Sequence, residues 1–406
     1  MTAYHCNGKG EGKNMIMHIR KLVDSIRETE VVDLCQELIR IISVNPPGDE
    51  IRIAEYVRGI LSKAGLEVEI IHHGPSRASL LAVLKSSRQI PPLLYSSHLD
   101  TVPLGVEKWI HDPFDGVTSD GRIWGRGAAD MKGGMAALIV AATELARSGL
   151  PLRGDLILAL TAGEEVDSLG ATAIASRTEL GPVQAVVIPE PSDNDVYIAE
   201  KGALWLELST HGKTAHGAMP ELGQNAVLMM VDLIRELQKL QIPFKEHPML
   251  GGFSMSVNTI QGGMKTNVVP DGCVVTVDMR TVPGQSHEAI VGLIKEMIAA
   301  SSRRNPSFRA SVKVTNDRAP IETPPEGDAV RLFAGIVEEV LGERPTPKGV
   351  RYYTDATALV PAFRAPMIIC GPGDPKLAHQ PNENVAIEKL VQAVKIYTLT
   401  AGRFLI

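Results

Sequence analysis

Four apolar runs of the sequence end in groups able to bind a cation or move a proton. PPLLYSS runs into His98, Leu99 and Asp100, GDLILALTAG into Glu164 and Glu165, QAVVIP into Glu190, and APMIICG into a loop carrying His379. A further carboxylate, Asp130, closes the glycine-rich stretch GRGAAD just ahead of MKGGMAAL. Adjacent carboxylates such as Glu164 and Glu165 repel one another unless something positive lies beside them. Two imidazoles and several carboxylates, with no thiolate, suit a borderline divalent ion: zinc, or else manganese or cobalt. One ion takes about four ligands, and His98, Asp130, Glu165, Glu190 and His379 exceed that. Two ions sharing one carboxylate is the economical reading, so one or two ions per subunit are expected. One of the two neighbouring glutamates then binds metal. The other is left to take a proton from a water whose pKa the metal lowers to about 7.

Taken singly, each residue has a plain structural reading. A histidine at a strand end is commonly a hydrogen-bonded loop residue, and a Glu-Glu pair a solvated turn. Asp130 fits a helix N-cap ahead of MKGG, and Glu190 before a proline fits a turn. Ligands of open α/β sheets bind beyond the carboxyl ends of the strands. It is the convergence of these groups on one such rim that favours a metal centre.

The elements that must position them follow from periodicity. VVDLCQELIRII and IRIAEYVRGILSKAG have helical spacing, the second ended by Gly65. LEVEII, SLLAVLK and PPLLYSS read as strands. MAALIVAATELARSG and DSLGATAIASR read as helices, and GDLILALT and QAVVIPE as strands between and after them. Apolar strands alternating with helices predict an α/β domain with a mostly parallel sheet. From ALWLELSTHG to FRASVKVT the order changes to β-α-β-β-α-β, the ferredoxin-like pattern of a separate α+β domain. The chain then returns to α/β, closing on NVAIEKLVQAVKIYTLTAG. Expected boundaries are a flexible N-terminal extension at 1–25, a metal-binding catalytic domain at 26–199 and 319–406, and the inserted domain at 200–318.

Composition bounds the function. With 406 residues the chain exceeds one ordinary core. A net charge of −6, with no Lys/Arg run, argues against a nucleic-acid partner. The most apolar run, MAALIVAA, is far short of the roughly 20 residues that span a bilayer. MTAYHCNGKGEGKN has no apolar core of the kind a signal peptide needs. Cys6, Cys35, Cys273 and Cys370 are scattered, without a CxxC pair, and read as thiols of a cytoplasmic protein. No GxSxG marks a serine hydrolase, since GGFSMS lacks the final glycine. GRGAAD lacks the third glycine of a dinucleotide fingerprint.

SSHLDTVP, WIHDPFDGVTSDGRIWGRGAADMKGGMAA, TAGEEVDSLGA, IPEPS and AHQPNE, in that order, resemble the M20 metallopeptidases. That family of co-catalytic metal hydrolases includes acetylornithine deacetylase, succinyl-diaminopimelate desuccinylase, aminoacylase and carboxypeptidase G2. The resemblance covers the chain from about residue 30 onward. It implies a zinc-peptidase-like catalytic domain with an inserted lid and dimerisation domain. His98 then resembles the ligand of one metal, Asp130 the carboxylate bridging both, Glu164 the general base and Glu165 the ligand beside it. Glu190 and His379 resemble the remaining ligands, on different metals. Asp100 resembles the acid that orients the His98 imidazole. The family's cis peptide after the bridging aspartate would fall at Asp130–Met131. In the inserted domain, His216 resembles a histidine that reaches across a dimer to stabilise the oxyanion. Asn267 and Arg280 match substrate-holding positions, Arg280 as partner of a substrate carboxylate, and Lys201 and Thr354 are further candidates.

Two stretches depart from the family pattern. AEKGALW has one Lys201 where desuccinylases carry a doubled arginine, and YYTDAT replaces a glycine-rich segment, so that Tyr352 and Tyr353 would narrow the pocket. The resulting expectation is a homodimeric, metal-dependent hydrolase of a C–N bond in a small carboxylate-bearing substrate, foremost the amide of an N-acyl amino acid. The alternatives are a dipeptidase or carboxypeptidase, an aminohydrolase of a ureido, amidine or aryl-amine carbon, and a non-catalytic binding protein on the same fold.

Overall fold

The computed structural model describes residues 17–406. Residues 17–24 are helical (α1). Then follow α2 (Glu28–Arg40), α3 (Glu50–Lys63), β1 (Glu67–His72), β2 (Ala78–Leu84), β3 (Leu93–His98), β4 (Val117–Ser119), β5 (Arg122–Trp124) and α4 (Gly133–Ser148). The chain continues through β6 (Leu156–Thr161), α5 (Leu169–Ala175), β7 (Val186–Ile188), β8 (Tyr197–Glu200), β9 (Gly202–His211), α6 (Ala226–Lys239), β10 (Ser254–Gly262) and β11 (Gly272–Thr281). It ends with α7 (His287–Arg304), β12 (Ala310–Arg318), β13 (Ile321–Glu322), α8 (Asp328–Leu341), β14 (Lys348–Val350), α9 (Ala356–Phe363), β15 (Met367–Ile369), β16 (Asn384–Ala386) and α10 (Ile387–Leu405).

The chain divides into two compact units. The first holds residues up to Ile198 with Thr323–Lys348 and Thr354–Ile406; the second holds Ala199–Glu322 and Gly349–Tyr353. The sequence assigned residue 199, 319–322 and 349–353 to the metal-binding part, whereas these positions pack with the second unit.

In the first unit, strands run in the order β1-β2-β6-β3-β7-β15-β8. β6, β3, β7 and β15 are mutually parallel, and the flanking pairs β1–β2, β2–β6 and β15–β8 are antiparallel. β3 and β6 are buried along their whole length, which explains their unbroken apolar text. α4 is buried on nearly every side, and its glycines and alanines permit close approach. A Cβ on Gly134 would sit 2.5 Å from the Pro189 carbonyl oxygen, so only glycine lets this helix start press against the end of β7. That contact brings Asp130 alongside Glu190.

The second unit is an antiparallel sheet, ordered β10-β11-β9-β12, with α6 and α7 packed against it. Its core is formed by Leu204, Leu206 and Leu208 of β9 against Met230, Leu233 and Ile294 of the helices. Alternating burial along β9 and β11 is the signature of a sheet with one covered face.

Three features differ from the sequence reading. The proposed flexible extension at 1–25 is helical over 17–24; Ile19 and Val23, spaced i and i+4, are buried, and Ile19 lies against Gly402 of α10. Residues 1–16, including Cys6, lie outside the described residues. A small sheet, β16-β5-β4, was overlooked. Its β4–β5 hairpin turns at Asp120-Gly121, both with positive φ, and Asp-Gly is the preferred pair for such a turn. Asn384–Ala386, read as the start of the last helix, is the strand that pairs with β5.

Candidate active site

β3 ends on His98, the loop after β6 carries Glu164 and Glu165, Glu190 follows β7, and His379 lies in the loop after β15. These are neighbouring strands of the parallel core, so their carboxyl ends converge. Asp130 comes from the irregular stretch before α4, where it and Met131 leave helical geometry and their shared peptide bond is cis.

The geometry separates into two halves joined at Asp130. His98 Nε2 lies 3.1 Å from Asp130 Oδ1 and 3.8 Å from Glu190 Oε1. His379 Nε2 lies 3.3 Å from Asp130 Oδ2 and 3.1 Å from Glu165 Oε2. Each oxygen of Asp130 therefore serves a different histidine. Possible ligand atoms of His98, Asp130 and Glu165 fall within 4.8 Å of one another, and so do those of His98, Glu164 and Glu190. His98, Asp130 and Glu190 are buried, and His379 is half-exposed.

In this cluster, carboxylates outnumber the two imidazoles. Burial pulls the His98 imidazole down, yet its hydrogen bond to Asp130 and the charges of Glu190 and Glu164 hold it well above its ordinary pKa. Hydrogen bonds to Asp130 and Glu165 raise His379 to about 10. Burial drives Glu190 and Glu164 well above the carboxylate range, helped by Asp130 for Glu190 and by Glu190 itself for Glu164. Burial also raises Glu165. For Asp130, burial is outweighed by its two histidine partners, which keep it low. Among the described residues Glu165 Oε1 is buried with no hydrogen-bond partner, and an acceptor of this kind suits a metal ion. The imidazole and carboxylate donors thus fit divalent ions of the zinc type.

Asp100 faces the His98 imidazole with its backbone carbonyl nearer than its carboxylate. His98 Nδ1 lies 2.9 Å from the Asp100 backbone carbonyl, and 3.8 Å from the carboxylate. The carboxylate instead accepts the backbone N–H groups of Gly163, Glu164 and Glu165 at 3.1, 3.2 and 3.3 Å, and the amide of Asn45 at 2.8 Å. The imidazole is oriented by a backbone carbonyl two residues on. The Asp100 side chain is thereby released to hold the turn that carries both glutamates.

Asn45 and Asp355 were not singled out in the sequence. Asn45 sits in NPPG, whose proline-rich text signals only a turn. Asp355 is buried at the start of α9, accepts the Thr161 hydroxyl at 2.5 Å, and is raised to about 6 by burial. Its neighbour Thr354 is fully buried and its hydroxyl accepts the Ala356 N–H at 3.1 Å.

The other sequence candidates belong to the second unit. His216 and Asn267 are exposed and adjacent, since the Gly217 N–H donates to the Asn267 carbonyl at 2.8 Å. Arg280 pairs with Asp278 at 3.0 Å and lies over the Tyr353 ring at 5.9 Å; that ring in turn meets Trp205 edge-on. Lys201 is buried, donates to the Gly252 carbonyl, and is lowered by burial and then by Arg351 and Arg280.

Known proteins resemble this chain in sequence and in fold. A probable succinyl-diaminopimelate desuccinylase of Staphylococcus epidermidis is 28% identical over 400 residues, covering 92% of this chain and 97% of the relative. An acetylornithine deacetylase of Myxococcus xanthus is 28% identical over 362 residues, covering 87% and 92%. The aminopeptidase PepT of Bacillus cereus superposes with a TM-score of 0.75 at 21% identity, over 93% of this chain and 99% of that one. Among the described residues no helix is long and apolar enough to cross a membrane. The model of peptidase family M20/M25/M40 matches residues 94–403, so the chain belongs to that family and is a hydrolase acting on C–N bonds.

Proposed function

We propose that the protein hydrolyses the amide of an N-acyl amino acid at a centre of two divalent metal ions. The observation that carries this reading is the division of Asp130 between two histidine–carboxylate pairs. His98, Asp130 and Glu190 would hold one ion, and His379, Asp130 and Glu165 the other, zinc being the best match to the donors. Ions held there would supply Lewis-acid chemistry, polarising the scissile carbonyl and lowering the pKa of water. Glu164, next to the ligand Glu165 and close to His98 and Glu190, is assigned the proton of the attacking water, which it returns to the departing amine.

Arg280, with Asn267, is assigned the substrate carboxylate, and His216 the oxyanion. Lys201 and Thr354 are assigned further contacts with the substrate. Arg280 is restrained by Asp278 and Tyr353, which keeps its planar fork oriented for a bidentate contact. The second unit is assigned a homodimer interface. β10 is an edge strand with Ile260 exposed, and α6 exposes Leu228 and Val231. The buried free thiols Cys35, Cys273 and Cys370 favour a cytoplasmic setting.

The test is amine release from N-acetyl, N-succinyl and N-aminoacyl amino acids, alongside ureido and aryl-amine compounds, with zinc or manganese and with chelator. Chelator-sensitive turnover of an N-acyl class is the expected result. Turnover of only the ureido or aryl-amine compounds would move the reading to another C–N bond. Silence on the whole panel despite tight metal binding would move it to a binding protein.

A further inference from the structure

The segment that carries His379 also carries Glu383, a fully buried carboxylate. Glu383 Oε1 accepts the backbone N–H groups of Ala129 and Asp130, each at 2.8 Å. Oε2 accepts the Gly127 N–H at 3.0 Å and Arg126 Nη1 at 2.6 Å. The Glu383 carbonyl takes the Gly125 N–H at 2.9 Å. This is where the chain leaves helical geometry at Asp130 and Met131, so no regular helical ladder supplies acceptors for these N–H groups.

Arg126 completes the arrangement. Its side chain is almost wholly buried, donates to the Pro103 carbonyl at 3.1 Å and the Gln380 carbonyl at 3.3 Å, and lies 5.1 Å from the Trp109 ring centre. Ile110 N–H donates to Asn382 Oδ1 at 2.6 Å. One buried ion pair therefore joins the loop after Asp100, the loop bearing Asp130 and the loop bearing His379. A buried ion pair is a poor source of net stability compared with apolar packing. The value of this one lies in geometry, because groups behind metal ligands fix their orientation.

We infer that Glu383, braced by Arg126, is the positioning residue that fixes the Asp130 carboxylate and couples it to the His379 loop. The inference rests on the proposed reading of Asp130 as the ligand shared by both ions. Glu383 hydrogen-bonds the Asp130 backbone and not its carboxylate, and so acts through it.

Glu383→Gln is the discriminating variant: it keeps the shape but sets an NH2 group against backbone and guanidinium donors. In the metal-free protein, amide exchange at Gly127, Ala129 and Asp130 should accelerate by about 10-fold or more. Zinc affinity and kcat should each fall by about 10–100-fold, with KM within about twofold. Asp155→Asn serves as the control for simple loss of a buried carboxylate and its hydrogen bonds, since Asp155 binds the exposed Arg88 at 2.8 Å and Ser86 away from these loops. It should lower the Tm without changing exchange at 127–130, zinc affinity or kcat. If Glu383→Gln behaves like Asp155→Asn, the inference is overturned. Should Glu383→Gln fail to fold, Arg126→Lys decides: it keeps the charge but loses the fork, and should give the same pattern in weaker form. Wild-type exchange and kcat in a folded Arg126→Lys protein would refute the coupling. If the wild type binds no zinc, the proposed function fails, while the exchange measurement still judges Glu383.

Discussion

Asp100→Asn separates two roles for one carboxylate: orienting an imidazole, or holding the Glu164–Glu165 turn. The structure favours the second. Asp100 is fully buried and accepts from Gly163, Glu164, Glu165 and Asn45. An asparagine with its oxygen in place of Oδ1 keeps Gly163 and Glu164, but turns its NH2 toward the Glu165 N–H and the Asn45 amide. One buried and one partly buried donor lose their acceptor, each at about 1–3 kcal/mol. Relief of repulsion with Glu50, whose carboxyl Asp100 helps to raise, returns part of this. A net loss of about 2–4 kcal/mol is expected in the metal-free protein. Asn45→Ala removes one of the same bonds and should cost about 1–2 kcal/mol. The double variant should cost less than the sum of the two single variants, because both act on one network. Urea unfolding of the chelator-treated proteins measures all three. Unchanged stability in Asp100→Asn, with loss confined to metal affinity, would restore the imidazole-orienting role and refute the turn-holding one.

Other expectations concern the centre and the fold. Glu164→Gln should retain both metal equivalents and lose about 10²–10⁴-fold in kcat, read by metal analysis beside steady-state rates. Full activity would end its assignment as base. His379, raised to about 10 in the metal-free protein, adds stability that is complete below its unfolded pKa of about 6.5 and is lost as pH rises through about 10. The metal-free wild type should therefore lose Tm over that window more steeply than His379→Asn, and a parallel decline in both would contradict this. Zinc-loaded protein should show the opposite trend at the lower end, because protons compete with metal there. Ile19→Ala should cost about 2–4 kcal/mol in denaturant unfolding, since residues 17–24 pack as a helix. A loss below 0.5 kcal/mol, of order RT, would mean that this helix contributes nothing.

The central strands were legible because parallel strands covered on both faces become unbroken apolar runs, and the ligand candidates stand where those runs stop. The ferredoxin-like order was legible from the change in element sequence. What escaped was held by long-range hydrogen bonding with no periodic trace. Asn45 and Asp355 reach the centre from turns distant in sequence, and spacing from His98 alone does not show that the Asp100 carbonyl lies nearer the imidazole than its carboxylate does. The small β16-β5-β4 sheet was missed although Asp120-Gly121 marked its hairpin, because its strands are only three residues each. The helix at 17–24 was missed because its polar, glycine-rich neighbours masked the spacing of Ile19 and Val23.

The central claim is that Asp130 is shared by two metal ions. Native mass spectrometry of zinc-titrated protein, wild type beside Asp130→Asn, tests it directly. The wild type should carry two ions per chain and Asp130→Asn at most one. A wild type saturating at a single ion, or a variant holding two as tightly as the wild type, would contradict the claim.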